Sequence, residues 1–179
     1  MSATVEKGVM WVTQLLLKLL TWMCNIMIGM CILVLPFTAL AMIPRFVEDL
    51  PPELVAPTPL MVAAVIAFVA LIIGLFVLLR MFIVNLRAIV DTVDEGDPFV
   101  IENAHRLRRM GWVSIIAYPV TILLAGVGWG LEAMHDNNAE FDFEAAVDGT
   151  GLLTILLVFI LARVFEQGVA MREELEGTV

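Results

Sequence analysis

Side chains able to do chemistry are few in this chain, and ten of the 29 charged ones stand together. Between Arg80 and Arg109 lie five arginines (Arg80, Arg87, Arg106, Arg108, Arg109) and five acids (Asp91, Asp94, Glu95, Asp97, Glu102). A second acidic group, Glu173, Glu174 and Glu176, follows Arg163 near the C-terminus. Such groups can bind: carboxylates attract a basic partner, and arginines hold phosphate or carboxylate. Catalysis asks for more. No nucleophile motif, phosphate loop or paired metal-ligand spacing is present. Cys24 and Cys31 would stand about 10.5 Å apart along a helix, too far for a disulfide. Asp136, Asn138, Glu140, Asp142 and Glu144 resemble the start of a calcium loop, but Phe141 stands where an EF-hand needs Gly and Val147 where it needs a bidentate Glu. The expectation is a non-enzyme without metal or cofactor.

The elements that must carry these charges are set by composition. Hydrophobic residues make up 61% of the 179 positions and charged residues 16%, against about 45–50% and 25% in soluble domains. With mean hydropathy at +0.96, a water-soluble globule of this size could not hide its apolar side chains. Disorder is excluded by the same numbers. The net charge of −9 argues against direct nucleic-acid binding, which wants a basic face. A membrane span takes about 20 mostly apolar residues, and four stretches qualify: residues 19–43, 60–79, 111–131 and 151–169. The apolar character of the first reaches back to Val9, longer than a signal peptide's core, so it is expected to stay uncleaved. The fold expected is all-α, a single four-helix membrane bundle.

Basic residues orient the spans. Nine of the ten (Lys7, Lys18, Arg80, Arg87, Arg106, Arg108, Arg109, Arg163, Arg172) fall on one side and Arg45 alone on the other. Both termini and the middle loop are therefore expected to be cytoplasmic. An acidic loop, residues 132–150, faces outside. His105 and His135 then lie across the membrane from each other and share no metal. The Pro-rich segment 44–59, with five prolines, reads as a stiff connection. Ala63, Ala67, Ala70 and Gly74, and the pair Gly126 and Gly130, read as packing seams. Pro36 and Pro119 are expected to kink their helices.

The middle segment, residues 80–110, is the richest. Apolar residues from Met81 to Val93 continue the second span at helical period, so that helix should project beyond the bilayer. Gly96 should end it and Pro98 begin a second helix leading into span three. The result is a charged helical hairpin. Two readings stay open from the residues alone. In one, the charges bridge each other while Arg80, Arg87, Arg106, Arg108, Arg109 and Arg163 anchor the protein at membrane lipid. In the other, the hairpin is a docking platform for a cytoplasmic protein.

Gly96-Asp97-Pro98-Phe99, Glu102-Asn103, Arg106-Leu107-Arg108-Arg109 and Gly111-Trp112 resemble the signature of a bacterial family of four-span inner-membrane proteins of unassigned function. Leu161-Ala162-Arg163-Val164-Phe165, Gly168, Met171-Arg172-Glu173-Glu174 and the terminal Thr178-Val179 support the resemblance. Members are often encoded beside a small helix-turn-helix regulator of the Cro-like, Xre type. The resemblance thus implies that the membrane protein binds the regulator and controls its access to DNA. A regulator that contacts phosphates must have a basic face. The expected docking surface is therefore acidic, at Asp91, Asp94, Glu95, Asp97, Glu102, Glu173, Glu174 and Glu176, with apolar anchors at Phe99, Ile101 and Met171. A homodimer holding a dimeric regulator is the natural symmetry. A small transporter or channel component is the competing expectation, and a membrane-bound enzyme the third.

Overall fold

A computed structural model describes residues 3–40, 58–134, 139–141, 147 and 149–176, with side chains from Gly8 to Leu175. Among the described residues there are four helices and no strand: α1 (Ala3–Leu40), α2 (Pro59–Asp94), α3 (Ile101–Ala133) and α4 (Gly149–Glu176). Each is long and apolar enough to cross a membrane, the build of a multi-pass membrane protein. All four outrun the stretches that hydropathy alone marks out. At about 1.5 Å per residue, α2 is about 54 Å long, well beyond the ~30 Å of a hydrocarbon core.

Local chemistry fixes the helix ends. Thr58 caps α2, its carbonyl and hydroxyl accepting from the amides of Val62 (3.1 Å) and Met61 (3.3 Å). Pro59 follows at the first helical position, where a missing N–H costs nothing. At the other end Gly96 takes φ +88°. The Asp97 amide donates to the Thr92 carbonyl and the Gly96 amide to that of Val93, both at 3.1 Å. These are the two bonds of a Schellman stop, as expected of Gly96. Helix does not resume at Pro98: residues 97–100 are irregular and α3 starts at Ile101. Pro98 offers no amide to a helix ladder, and its carbonyl is held by a side chain instead (below). Pro36 and Pro119 lie inside α1 and α3, and both helices run on through them.

Two compact units divide the chain: residues 1–24, 78–118 and 149–179, and residues 25–77 and 119–148. The first is built on a core of Ile89, Leu107, Met110, Val158 and Ala162, with Phe82, Leu86 and Phe165 against it. In the second, Phe68 packs on Gly128 and the Trp129 indole donates to the Ala139 carbonyl at 3.1 Å.

Among the described residues the small-residue stripes are not seams. Ala63, Ala67 and Ala70 are exposed, and a Cβ placed on Gly74, Gly126 or Gly130 would meet nothing within 4 Å. The close approaches fall on other glycines. Phe159 sits on Gly111, Tyr118 on Gly151 and Phe99 on Gly168, each within 2.8 Å of an added Cβ. Aromatic rings fill glycine notches, so a ring rather than a facing small residue marks the packed side.

A candidate docking cleft at the hairpin turn

The site is held together by one amide. Asn103, in the first turn of α3, is fully buried. Its Nδ2 donates to Thr92 Oγ1 (2.7 Å) and to the Pro98 carbonyl (2.9 Å), and its Oδ1 accepts from Arg106 Nη1 (2.8 Å). Arg106 Nη1 also reaches the Ala88 carbonyl at 3.1 Å, and Thr92 Oγ1 donates to Ile89 at 2.7 Å. A buried amide must find partners for its polar atoms, and these partners come from α2, the turn and α3. The network fixes the turn's shape.

That shape carries Phe99 across to α4. Its ring rests on Gly168 and lies 5.5 Å from the Phe165 ring, tilted by 38°. Beside it Arg172 of α4 forms an ion pair with Asp97. Turn and helix enclose a cleft of about 240 Å³, where Asp97, Phe99, Ile101 and Glu102 face Val169, Arg172 and Glu173. Five of the sequence-predicted docking residues thus come together: Asp97, Phe99, Ile101, Glu102 and Glu173. Phe99 has a double role, seated on α4 and still 44% exposed.

The remaining candidates lie elsewhere. Asp91 and Asp94 each receive a hydrogen bond from Gln14 Nε2 of α1, at 3.4 Å, and do not line the cleft. Glu95, Met171 and Glu174 are exposed outside it. Glu176 ends α4, and its side chain lies outside the described residues, as do Asp136, Asn138, Asp142 and Glu144 of the acidic loop. Glu95, Glu102 and Glu173 form no ion pair among the described residues.

The arginines do not simply neutralise the hairpin's own acids. Arg108 pairs with Glu166 of α4, and Arg163 reaches the same carboxylate at 3.4 Å, the i,i+3 contact the spacing allows. Arg106 directs Nη1 into the Asn103 network, Arg109 is exposed, and Arg87 buries an Nε without a hydrogen-bond partner among the described residues. Among the described residues no group of three or more His, Cys, Asp or Glu could hold a metal ion.

Asn103, Arg172 and Gly168 stand in the motifs of the resemblance, but none is placed in the expected docking surface. A signal for Asn103 existed: a carboxamide two turns before an apolar run, just after a Gly-x-Pro turn. The contacts of Gly168 and Arg172 carry no such local signal, because the identity of their neighbours depends on how α4 is rotated.

Residues 79–179, more than half of the chain, match a protein family described as "Protein of unknown function (DUF2975)". Comparison with curated proteins and with solved structures gives no match. The matched stretch contains the whole cleft.

Proposed function

The chain belongs to the DUF2975 family, and from that premise we propose that it is a bacterial inner-membrane regulatory protein. It binds and sequesters a small cytoplasmic helix-turn-helix transcription regulator of the Xre/Cro-like kind. The observation that carries the proposal is the cleft between the hairpin turn and α4. It pairs apolar anchors, Phe99 and Ile101, with acids that form no ion pair among the described residues, Glu102 and Glu173. A basic, DNA-reading surface is complementary to such a rim. The acids steer encounter, and the aromatic supplies the buried anchor that dominates interface energetics.

Orientation supports the reading. The nine-to-one distribution of basic residues puts both termini and the hairpin in the cytoplasm, where a regulator could reach them. Held there, it cannot lay its recognition helix in the major groove. No enzymatic step is part of this proposal.

The test is co-purification of a small helix-turn-helix protein from solubilised membranes. Glu102→Lys with Glu173→Lys breaks no ion pair among the described residues and reverses the rim. The expected result is that solubilised wild type retains a small helix-turn-helix protein and the double variant loses it. Retention by both would show that docking is not at this cleft. If wild type retains none, sequestration itself fails.

A further inference from the structure

Where α3 and α4 run side by side, two arginines share one carboxylate. Arg108 of α3 and Arg163 of α4 both reach Glu166, and their side chains remain 53% and 72% exposed. The trio carries a net charge of +1. A guanidinium has five N–H donors, so one shared carboxylate leaves several on each arginine facing outward.

What lies next to this charge is apolar. Trp112, four residues on from Arg108, is exposed, and Ile116 continues the same helical face. On α4, Ile160 and Leu156 lie on the face of Arg163 and are exposed as well. Trp112 stands edge-on to Phe159 at 6.1 Å, and Phe159 is seated on Gly111. The wall is therefore held in place by packing beneath it. An uncharged run of α3, from Gly111 to Leu131, covers about 30 Å, one hydrocarbon thickness. Arg108 lies just beyond one end of that run, at headgroup depth.

We propose that Arg108 and Arg163 form a binding site for the phosphate of an anionic phospholipid, whose acyl chains lie along Trp112, Ile116 and Ile160. Charge selects the class of lipid. A zwitterionic headgroup brings its own cation to a site of net +1, whereas an anionic headgroup leaves the phosphate free for both arginines. Bidentate geometry suits guanidinium to phosphate. The site rests on the membrane-spanning architecture alone and is independent of the regulator reading.

Tryptophan quenching tests it. Chains retaining only Trp112 or only Trp129 (the others changed to Phe) are reconstituted in phosphatidylcholine vesicles. The vesicles carry brominated phosphatidylglycerol or brominated phosphatidylcholine at equal mole fraction. Trp112 should show about a fivefold preference for phosphatidylglycerol, as one net charge near a lipid surface gives, and Trp129 none. Arg108→Gln with Arg163→Gln should abolish the preference. Glu166→Gln is the decisive variant: it removes both ion pairs but also the negative charge, taking the trio from +1 to about +2, so it should raise the preference. A purely structural pair would lower it. Native mass spectrometry of the unsubstituted chain gives a second measurement, with phosphatidylglycerol adducts outlasting phosphatidylcholine adducts. Equal quenching of Trp112 by both lipids, the same preference at Trp129, survival of the preference in the double variant, or its fall in Glu166→Gln overturns the proposal.

Discussion

Asn103 makes three hydrogen bonds from a site with no exposed surface, and these bonds tie two helices and the turn between them. Asn103→Ala leaves the Pro98 carbonyl and the Arg106 guanidinium each short of a partner. An orphaned buried polar group costs about 1–3 kcal/mol, so unfolding in detergent should shift by about 2 kcal/mol. An unchanged midpoint would show that water takes the amide's place. Gly168→Ala acts differently. An added Cβ would stand 2.7 Å from Phe99 Cδ1, and the half-exposed ring has room to swing away. The expected outcome is a folded chain in which Phe99 leaves Phe165 and regulator capture weakens. Undiminished capture would separate Phe99's seat on α4 from docking.

At the scale of elements, the hairpin depends on how α2 stops. Gly96 holds φ +88°, where a Cβ meets the following carbonyl, a penalty of about 1–2 kcal/mol. Gly96→Ala should therefore destabilise the turn by about 1 kcal/mol, read as faster amide exchange at Gly96 and Asp97 while mid-helix amides stay protected. Uniform exchange changes would assign the cost to the whole fold. The tie from the turn to α4 has two parts of unequal weight. Asp97 and Arg172 are each close to half exposed, and exposed pairs contribute about 0.2–1 kcal/mol. A double-mutant cycle should return a coupling below about 1 kcal/mol. A larger value would make the ion pair, rather than the seat of Phe99 on Gly168, the main clamp.

For the whole molecule, the prediction is topological. In a background lacking Cys24 and Cys31, Asn137→Cys should react with a membrane-impermeant maleimide in intact cells. Glu95→Cys should react only after permeabilisation. Labelling of Glu95→Cys alone would invert the protein and put the cleft out of a cytoplasmic regulator's reach. Salt dependence belongs to this scale too. With the Debye length about 10 Å at 0.1 M and about 3 Å at 1 M salt, an acid-steered partner should bind more slowly as salt rises. Its dissociation rate, set by the aromatic anchor, should change much less.

The sequence by itself determined the class of protein and its elements. Four apolar stretches, a Thr-Pro start, a glycine stop and a charged hairpin are written locally, and the hydrogen bonds at Thr58 and Gly96 follow from a few adjacent residues. The gathering of acids and Phe99 beside the C-terminal helix was legible as composition, but its arrangement was not. Asp91 and Asp94 share the hairpin with Asp97, yet they face Gln14 of α1, while Asp97 turns to Arg172. Only the tertiary structure decided which residues meet. In a helix bound for lipid, the face turned to the membrane and the face turned to a neighbour are both apolar, so the alternation that marks a buried face in water is lost. Ala67 could not be told from Gly111 by spacing. What separates them is the Phe159 ring on Gly111, brought there by the rotation of a helix far along the chain.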